Sequence, residues 1–194
     1  MVELETQLRQ SAIALGPRSF VTELAHPFAV QVGEAWAKGR LSVRHEHLAT
    51  ECLTTQLRQM LASPAESAAR PLVLLATLPD EPHTLPLQIV AVYLLAQGAR
   101  PRLLGGSTPV PEIAQSARAL DADAVGLTIT MLADRKRTRD ELRALRKLLG
   151  PDFPLWLGGG GAQGLGLDLP GMHLLLSWQA IDAELARLRG DAAR

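Results

Sequence analysis

The sequence lacks the features that mark disulfide-bonded, membrane-spanning and nucleic-acid-binding chains. Its 194 residues include one cysteine, Cys52, which excludes an internal disulfide and a cluster of thiolate metal ligands. Basic and acidic residues number 20 each, so neither half of the chain is a polycationic arm for DNA. No apolar run reaches the roughly 18 residues that span a bilayer, and the acidic N-terminus is unlike a secretory signal. We therefore expect a cytoplasmic protein without direct contact to DNA or a membrane.

The composition that remains, 47% hydrophobic and 21% charged, is that of a globular protein. Residues 1–63 show the apolar spacing of helices throughout, which predicts a small helical bundle. Its helices are expected near residues 2–15, near 18–38 and after Gly39, with Ser42 as the N-cap of the third. Pro27 lies inside the second helix, so a kink is expected there. The polar, proline-bearing segment 64–70 is predicted to be a linker.

Beyond residue 70, short apolar runs alternate with helical segments. Strands are predicted at 72–76, 101–104, 124–130, 155–157 and 173–176, with helices at 85–97, 111–120, 134–149 and 179–188. Strands that alternate with helices predict a parallel, doubly wound sheet. Ligands bind such sheets outside the carboxyl ends of the strands, so residues just after each strand are the candidates for a site.

The loop after the first strand carries Glu81 and His83. A carboxylate that binds one ring nitrogen fixes the tautomer and leaves the other nitrogen for a metal. The alternative is an exposed loop histidine, and a single histidine makes a metal site only when a cofactor supplies the other ligands.

A glycine-rich loop follows the fourth strand and fits the pattern G-x-G-x-x-G at Gly159, Gly161 and Gly164. The NAD fingerprint belongs to the first strand–helix turn, so this late occurrence argues against NAD. The glycines predict either room for a bulky ligand or a tight turn. No nucleophile elbow or Walker A motif is present, so nothing in these residues favours a hydrolase or a kinase.

Four motifs in order resemble the cobalamin-binding module of the B12-dependent photoreceptor regulators of the CarH, LitR and AerR type. The resemblance covers about residues 20–189. The motifs are Trp36 with Glu46-His47 for W-x9-EH, Glu81-Pro-His83 for the opening of D-x-H-x-x-G, Thr128-Ile-Thr130 for S-x-L, and Gly158-Gly159 for GG. The resemblance implies a bundle followed by a flavodoxin-like or Rossmann-like sheet of five parallel strands, the B12-binding fold. It divides the chain into a bundle (1–63), a linker (64–70) and a cobalamin-binding domain (71–194).

The resemblance also implies roles for these residues. His83 would be the lower axial ligand of cobalt, with Glu81 holding its ring. The dimethylbenzimidazole tail would insert beside the sheet, near Thr128, Thr130, Gly158 and Gly159.

On the upper face of the corrin, Trp36, Glu46 and His47 would enclose the adenosyl group of adenosylcobalamin. Light would release that group and let the bundle move against the sheet domain. The output would be self-association or contact with a partner protein in transcriptional regulation.

The chain departs from the family pattern at three points. Pro86 replaces the final glycine of the histidine motif, so a differently shaped loop is expected. Ala37 stands where light-sensing relatives carry a second histidine, so a bis-histidine photoproduct would need His45 or His47. The sequence shows no helix-turn-helix before the bundle, so we expect either a layout like the AerR type, which acts through a partner protein, or a fragment of a longer chain.

Two other functions are compatible with these motifs. A corrinoid carrier of a methyltransferase system has the same layout but an upper face open to its partners. The fold could also hold another tetrapyrrole, a bilin or haem.

Overall fold

The computed structural model describes residues 2–62 and 70–192. These residues form two compact units, one of residues 2–62 with 88–97 and one of residues 70–87 with 98–192. The predicted linker lies outside the described residues except for Arg70. Among the described helices, none is long and apolar enough to cross a membrane.

The first unit begins with three helical stretches that follow one another with little interruption. Helix α1 spans Val2–Ser19, a π-helical turn spans Phe20–Ala25, and α2 spans His26–Ala37. Gly16, with φ 72° and ψ 166°, breaks α1 where the sequence predicts its end. At Pro27 the structure places a π-helical turn immediately before the proline. The backbone N–H of His26 donates to the Val21 carbonyl oxygen, five residues earlier, and Pro27 follows in the first turn of α2, where a missing N–H is tolerated.

Helix α3 spans Val43–Leu61 and completes the N-terminal helical region. Ser42 is its N-cap residue, but the hydroxyl contacts Nδ1 of His45 at 2.9 Å and bonds no backbone N–H. Helices α1 and α3 bury the apolar side chains Leu8, Leu53 and Leu57. Helix α2 has no buried residue.

The second unit is built on a parallel sheet. Its strands are β1 (Leu72–Ala76), β2 (Arg100–Gly105), β3 (Ala124–Thr128), β4 (Leu155–Gly158) and β5 (Met172–Leu174). The helices between and after them are α4 (Leu85–Ala96), α5 (Val110–Ala119), α6 (Arg135–Leu149) and α7 (Trp178–Ala192), of which most of α4 groups with the first unit. The predicted helical region followed by a sheet of five parallel strands is confirmed.

The described strands lie in the order β2-β1-β3-β4-β5, and all neighbouring pairs are parallel. This is the flavodoxin-like order, whose topological switch point falls between β1 and β3. The sequence-predicted third strand was too long, because β3 ends at Thr128 and Thr130 lies in the loop beyond it. The loops after β1 and β3 therefore meet at the edge where ligands bind in such sheets.

Side chains alternate between the two faces of the sheet. Leu74, Leu127 and Leu157 belong to a buried cluster that also holds residues of α5 and α6. The alternate residues of the same strands, which include Thr128 and Trp156, face the opposite side. The cluster that holds Leu74, Leu127 and Leu157 is apolar, whereas the opposite face carries two buried polar atoms without a partner among the described residues, the Thr128 hydroxyl and the Trp156 indole nitrogen.

Candidate cofactor-binding site

The loop after β1 is held in place by backbone hydrogen bonds. The hydroxyl of Thr77 donates to the carbonyl oxygen of Glu81, and the N–H of Ser107 donates to that same oxygen at 3.0 Å. Ser107 N–H also contacts the Thr77 hydroxyl at 2.9 Å. Thr77 is not among the residues predicted from the sequence, although a polar residue that directly follows an apolar strand is a usable signal. These contacts order the loop before any ligand is considered.

Glu81 joins the loop after β1 to the end of β3. One carboxylate oxygen, Oε1, lies 2.5 Å from Nδ1 of His83 and accepts the His83 backbone N–H at 3.1 Å. The other oxygen, Oε2, accepts the hydroxyl of Thr130. The structure thus brings together Glu81, His83 and Thr130, three of the residues selected from sequence.

The hydrogen bond to Glu81 determines the tautomer of the neutral imidazole. Burial of Glu81, which is only 7% exposed, favours its neutral form, but the hydrogen bonds from Thr130 and His83 outweigh that effect and lower its pKa. An ionised carboxylate can only accept, so Nδ1 of His83 carries the proton. The lone pair then lies on Nε2, the nitrogen available to a metal.

The imidazole of His83 is placed to receive a ligand from outside. Its side chain is 51% exposed, and a shallow cavity of about 250 Å³ opens beside it, between the loop and the start of α6. Pro86 falls in the first turn of α4, where its missing N–H has no helical partner to lose. The proline is therefore compatible with a helix that starts directly after the histidine loop.

Thr128 and Gly158 lie side by side on the sheet face opposite α5 and α6, because β3 and β4 pair them in register. Thr128 is 6% exposed, and among the described residues its hydroxyl has no hydrogen-bond partner. A Cβ built on Gly158 would have only the Leu175 carbonyl oxygen within 4 Å, at 3.3 Å. The pair combines an unsatisfied hydroxyl with a neighbouring position that carries no side chain.

The glycine loop after β4 packs closely on the end of β3. A Cβ on Gly159 would lie 2.4 Å from the carbonyl oxygen of Ile129, and one on Gly161 would lie 2.0 Å from that of Thr130. Gly159 also has φ +90°, which disfavours a side chain. The sequence left two explanations for this glycine, room for a bulky ligand and a tight turn. These contacts support the tight turn at Gly159.

The remaining sequence-selected residues cluster at one end of α2 and α3. Trp36 lies in the last turn of α2 and is 43% exposed, and a short turn leads from it to Glu46 in the first turn of α3. Oε2 of Glu46 lies 2.5 Å from Nδ1 of His47, and Oε1 accepts the hydroxyl of Thr50 at 2.9 Å. This group belongs to the first compact unit, and the cluster around His83 belongs to the second.

Comparison with known proteins gives matches over both units. Residues 71–170 match a family described as a B12 binding domain, and residues 2–60 match a second family of the same description. The HTH-type transcriptional repressor CarH of Myxococcus xanthus is 33% identical over 77% of this chain and 50% of its own length. Dimethylamine corrinoid protein 3 of Methanosarcina acetivorans is 24% identical over 60% of this chain and 56% of that protein.

The fold is also similar to a solved structure. The monomethylamine corrinoid protein of Methanosarcina barkeri is 14% identical to this chain and matches it with a TM-score of 0.67, over 95% of this chain and 96% of that one. The present chain spans about half the length of the curated relatives it matches.

The packing of the glycine loop leads to a prediction about stability. The change Gly159→Ala is expected to destabilise the ligand-free protein by at least about 2 kcal/mol, because it combines a clash with Ile129 and a left-handed φ. The matched control is Gly190→Ala in α7, where no atom lies near the added methyl group. Its stability is expected to stay the same or rise by up to about 1 kcal/mol. Urea unfolding of both variants measures the difference, and equal stabilities would contradict the packing argument.

Proposed function

The chain belongs to the family of B12 binding domains, and on this premise we propose that it is a light sensor that uses adenosylcobalamin and signals through protein association. The family membership confirms the resemblance to cobalamin-binding modules expected from the motifs. Cobalamin binding follows from the family. The adenosyl form, the role of light and the roles of individual residues are the proposal.

The cluster at the carboxyl edge of the sheet fits the lower side of a corrin. A single imidazole gives a metal one ligand, and a corrin supplies four others in a plane. Nε2 of His83 is the donor, and Glu81 and Thr130 hold the ring in one tautomer and one orientation. His83 is therefore the proposed lower axial ligand.

The opposite sheet face fits a polar tail. The buried hydroxyl of Thr128 has no partner among the described residues, and the space at Gly158 lies directly beside it. A ligand group inserted there would satisfy the hydroxyl, which otherwise carries the cost of a buried unpaired polar group. We assign Thr128 and Gly158 to the tail, and Gly159 to the turn that closes this part of the site.

The observation that best supports the sensor function is the group of Trp36, Glu46 and His47, which lies where α2 ends and α3 begins. An exposed indole and an imidazole held by a carboxylate lie at the same end of the helical pair, where Trp36 and Glu46-His47 match W-x9-EH. Helix α2 buries none of its residues within the first unit and exposes Val30 as well as Trp36. We assign this end of the helices to the upper axial group.

When bound, adenosylcobalamin supplies a cobalt–carbon bond that light cleaves. His83 would hold the cofactor from below, Trp36, Glu46 and His47 would enclose the upper group, and loss of their contacts with that group would shift the conformation of the protein. The readout is association with a second copy or with a protein partner in transcriptional regulation. The 33% identity to a transcriptional repressor supports this form of output.

A corrinoid carrier is the second candidate. The similarity to dimethylamine corrinoid protein 3 over 60% of this chain favours it. The same His83 site serves both functions, and they differ in the upper face, which a carrier keeps open to its partner enzymes.

The first prediction tests the response to light. Protein loaded with adenosylcobalamin in the dark is expected to change its visible spectrum on illumination, and its elution volume or protease sensitivity is expected to change with it. A sample kept in the dark is the control. Binding without any change in assembly or proteolysis would contradict the sensor and favour the carrier.

A second prediction concerns His83. The change His83→Ala is expected to alter the visible spectrum of bound cobalamin and to lower its affinity at least about tenfold, because water or the tail replaces the imidazole. His173→Ala is the control, since His173 is likewise paired with a glutamate, Glu184, at 3.2 Å. An unchanged spectrum in His83→Ala would contradict the assignment of His83 as a ligand of cobalt.

A third prediction separates the upper from the lower face. Trp36→Ala is expected to weaken adenosylcobalamin about tenfold more than hydroxocobalamin, because only the former has a large upper group for the indole to cover. Trp36→Phe should recover part of the loss. Titration by absorbance measures both affinities, and equal losses for the two cobalamins would show that Trp36 does not contact the upper group.

A further inference from the structure

Two buried polar groups on one sheet face have no partner among the described residues. They are the hydroxyl of Thr128 and the indole Nε1–H of Trp156. Trp156 is only 3% exposed, so water does not readily replace the missing partner. Buried donors without acceptors are uncommon in folded proteins, and each one calls for an explanation.

The register of the sheet places these groups near each other. Trp156 pairs with Gly126, and Gly158 pairs with Thr128, two positions further along the same strands. Trp156 and Thr128 are therefore diagonal neighbours on the face opposite α5 and α6. Leu75 lies over Gly126, but the position of Gly158 is open apart from the Leu175 carbonyl. Gly158 thus adjoins Thr128 and lies two residues beyond Trp156 on the same strand.

The other polar side chain next to Trp156 already has a partner. His173 pairs with Trp156 across β4 and β5, and its Nδ1 contacts Glu184 on α7 at 3.2 Å. An indole N–H can only donate. The Trp156 N–H is therefore a buried donor that makes no hydrogen bond to any described residue.

We propose that Trp156 donates its indole N–H to the base of the cofactor tail and so selects cobamides whose lower base has a ring nitrogen. This inference rests on the proposed function. When His83 occupies the lower axial position, the benzimidazole nitrogen that would otherwise bind cobalt becomes a free acceptor. Burial of that nitrogen without a donor would be unfavourable, and Trp156 supplies the donor.

The test compares ligands with and without the tail. Trp156→Phe keeps an aromatic ring in the core and removes the N–H, and it is titrated with cobalamin and with cobinamide, which lacks the nucleotide tail. Affinity for cobalamin is expected to fall about tenfold and that for cobinamide to stay unchanged. Trp178→Phe, the same substitution at the start of α7, is the control and should change neither affinity.

Thermal unfolding without ligand separates a binding role from a structural one. Loss of an unsatisfied buried donor should leave the Tm of Trp156→Phe the same or higher. A lower Tm together with equal losses for cobalamin and cobinamide would show that Trp156 only supports the core, and this would overturn the inference. Unchanged affinity for both ligands would overturn it as well.

The wild-type protein provides an independent measurement that does not depend on the variant folding. Cobamides with a phenolic lower base lack the ring nitrogen, so they are expected to bind about tenfold more weakly than cobalamin. Equal affinities would contradict the role of Trp156. If the wild type bound neither cobalamin nor cobinamide, the proposed function itself would fail, and that result is distinct from the others.

Discussion

The carboxylate of Glu81 is the contact on which the candidate site depends. It is buried, its two oxygens are taken by different elements, and it links the loop after β1 to the end of β3. A buried charge is tolerated only when its hydrogen bonds are made, so loss of either partner leaves a costly unpaired oxygen. The protein therefore holds His83 and Thr130 in a single arrangement at the switch point of the sheet. The imidazole is oriented by the fold before a ligand arrives.

The glycines of the loop after β4 differ in what each one contacts. Gly159 and Gly161 are required by the protein itself, since Cβ atoms there would collide with the backbone of Ile129 and Thr130. Gly158 has no such collision and lies beside the unsatisfied hydroxyl of Thr128. A motif of consecutive glycines thus combines two physical requirements, a closed turn and an open position on the sheet face. A side chain at Gly158 would have only the Leu175 carbonyl oxygen within 4 Å, so this is the glycine at which a substitution tests the proposed tail site.

The sequence predicted the elements well, because apolar runs and helical spacing reflect burial that the sheet and bundle then provide. It also predicted the Glu81–His83 contact, since two residues in a tight loop cannot lie far apart. It did not predict the contact from Thr130, which the longer predicted third strand placed inside the sheet, nor the grouping of Gln88–Gln97 with the N-terminal helices. Both depend on pairing between segments distant in sequence, and periodicity carries no information about such pairing. Trp156 was also missed. It lies in an apolar strand, and the pattern of such a strand does not show whether an indole N–H has an acceptor.

Two glutamates in this chain share one arrangement but differ in their surroundings. Glu81 and Glu46 each engage a histidine Nδ1 with one oxygen and a threonine hydroxyl with the other. His83 is tied to a nearly buried carboxylate, whereas the side chain of His47 is 72% exposed and its glutamate is partly solvated. Solvent competes with hydrogen bonds at the exposed pair, so that pair is weaker and easier to rearrange. A switch needs one end that holds its ligand firmly and one end that responds to a change in it. Under the proposed function, this difference in burial supports His83 as the firmly held ligand and His47 as the side chain that rearranges.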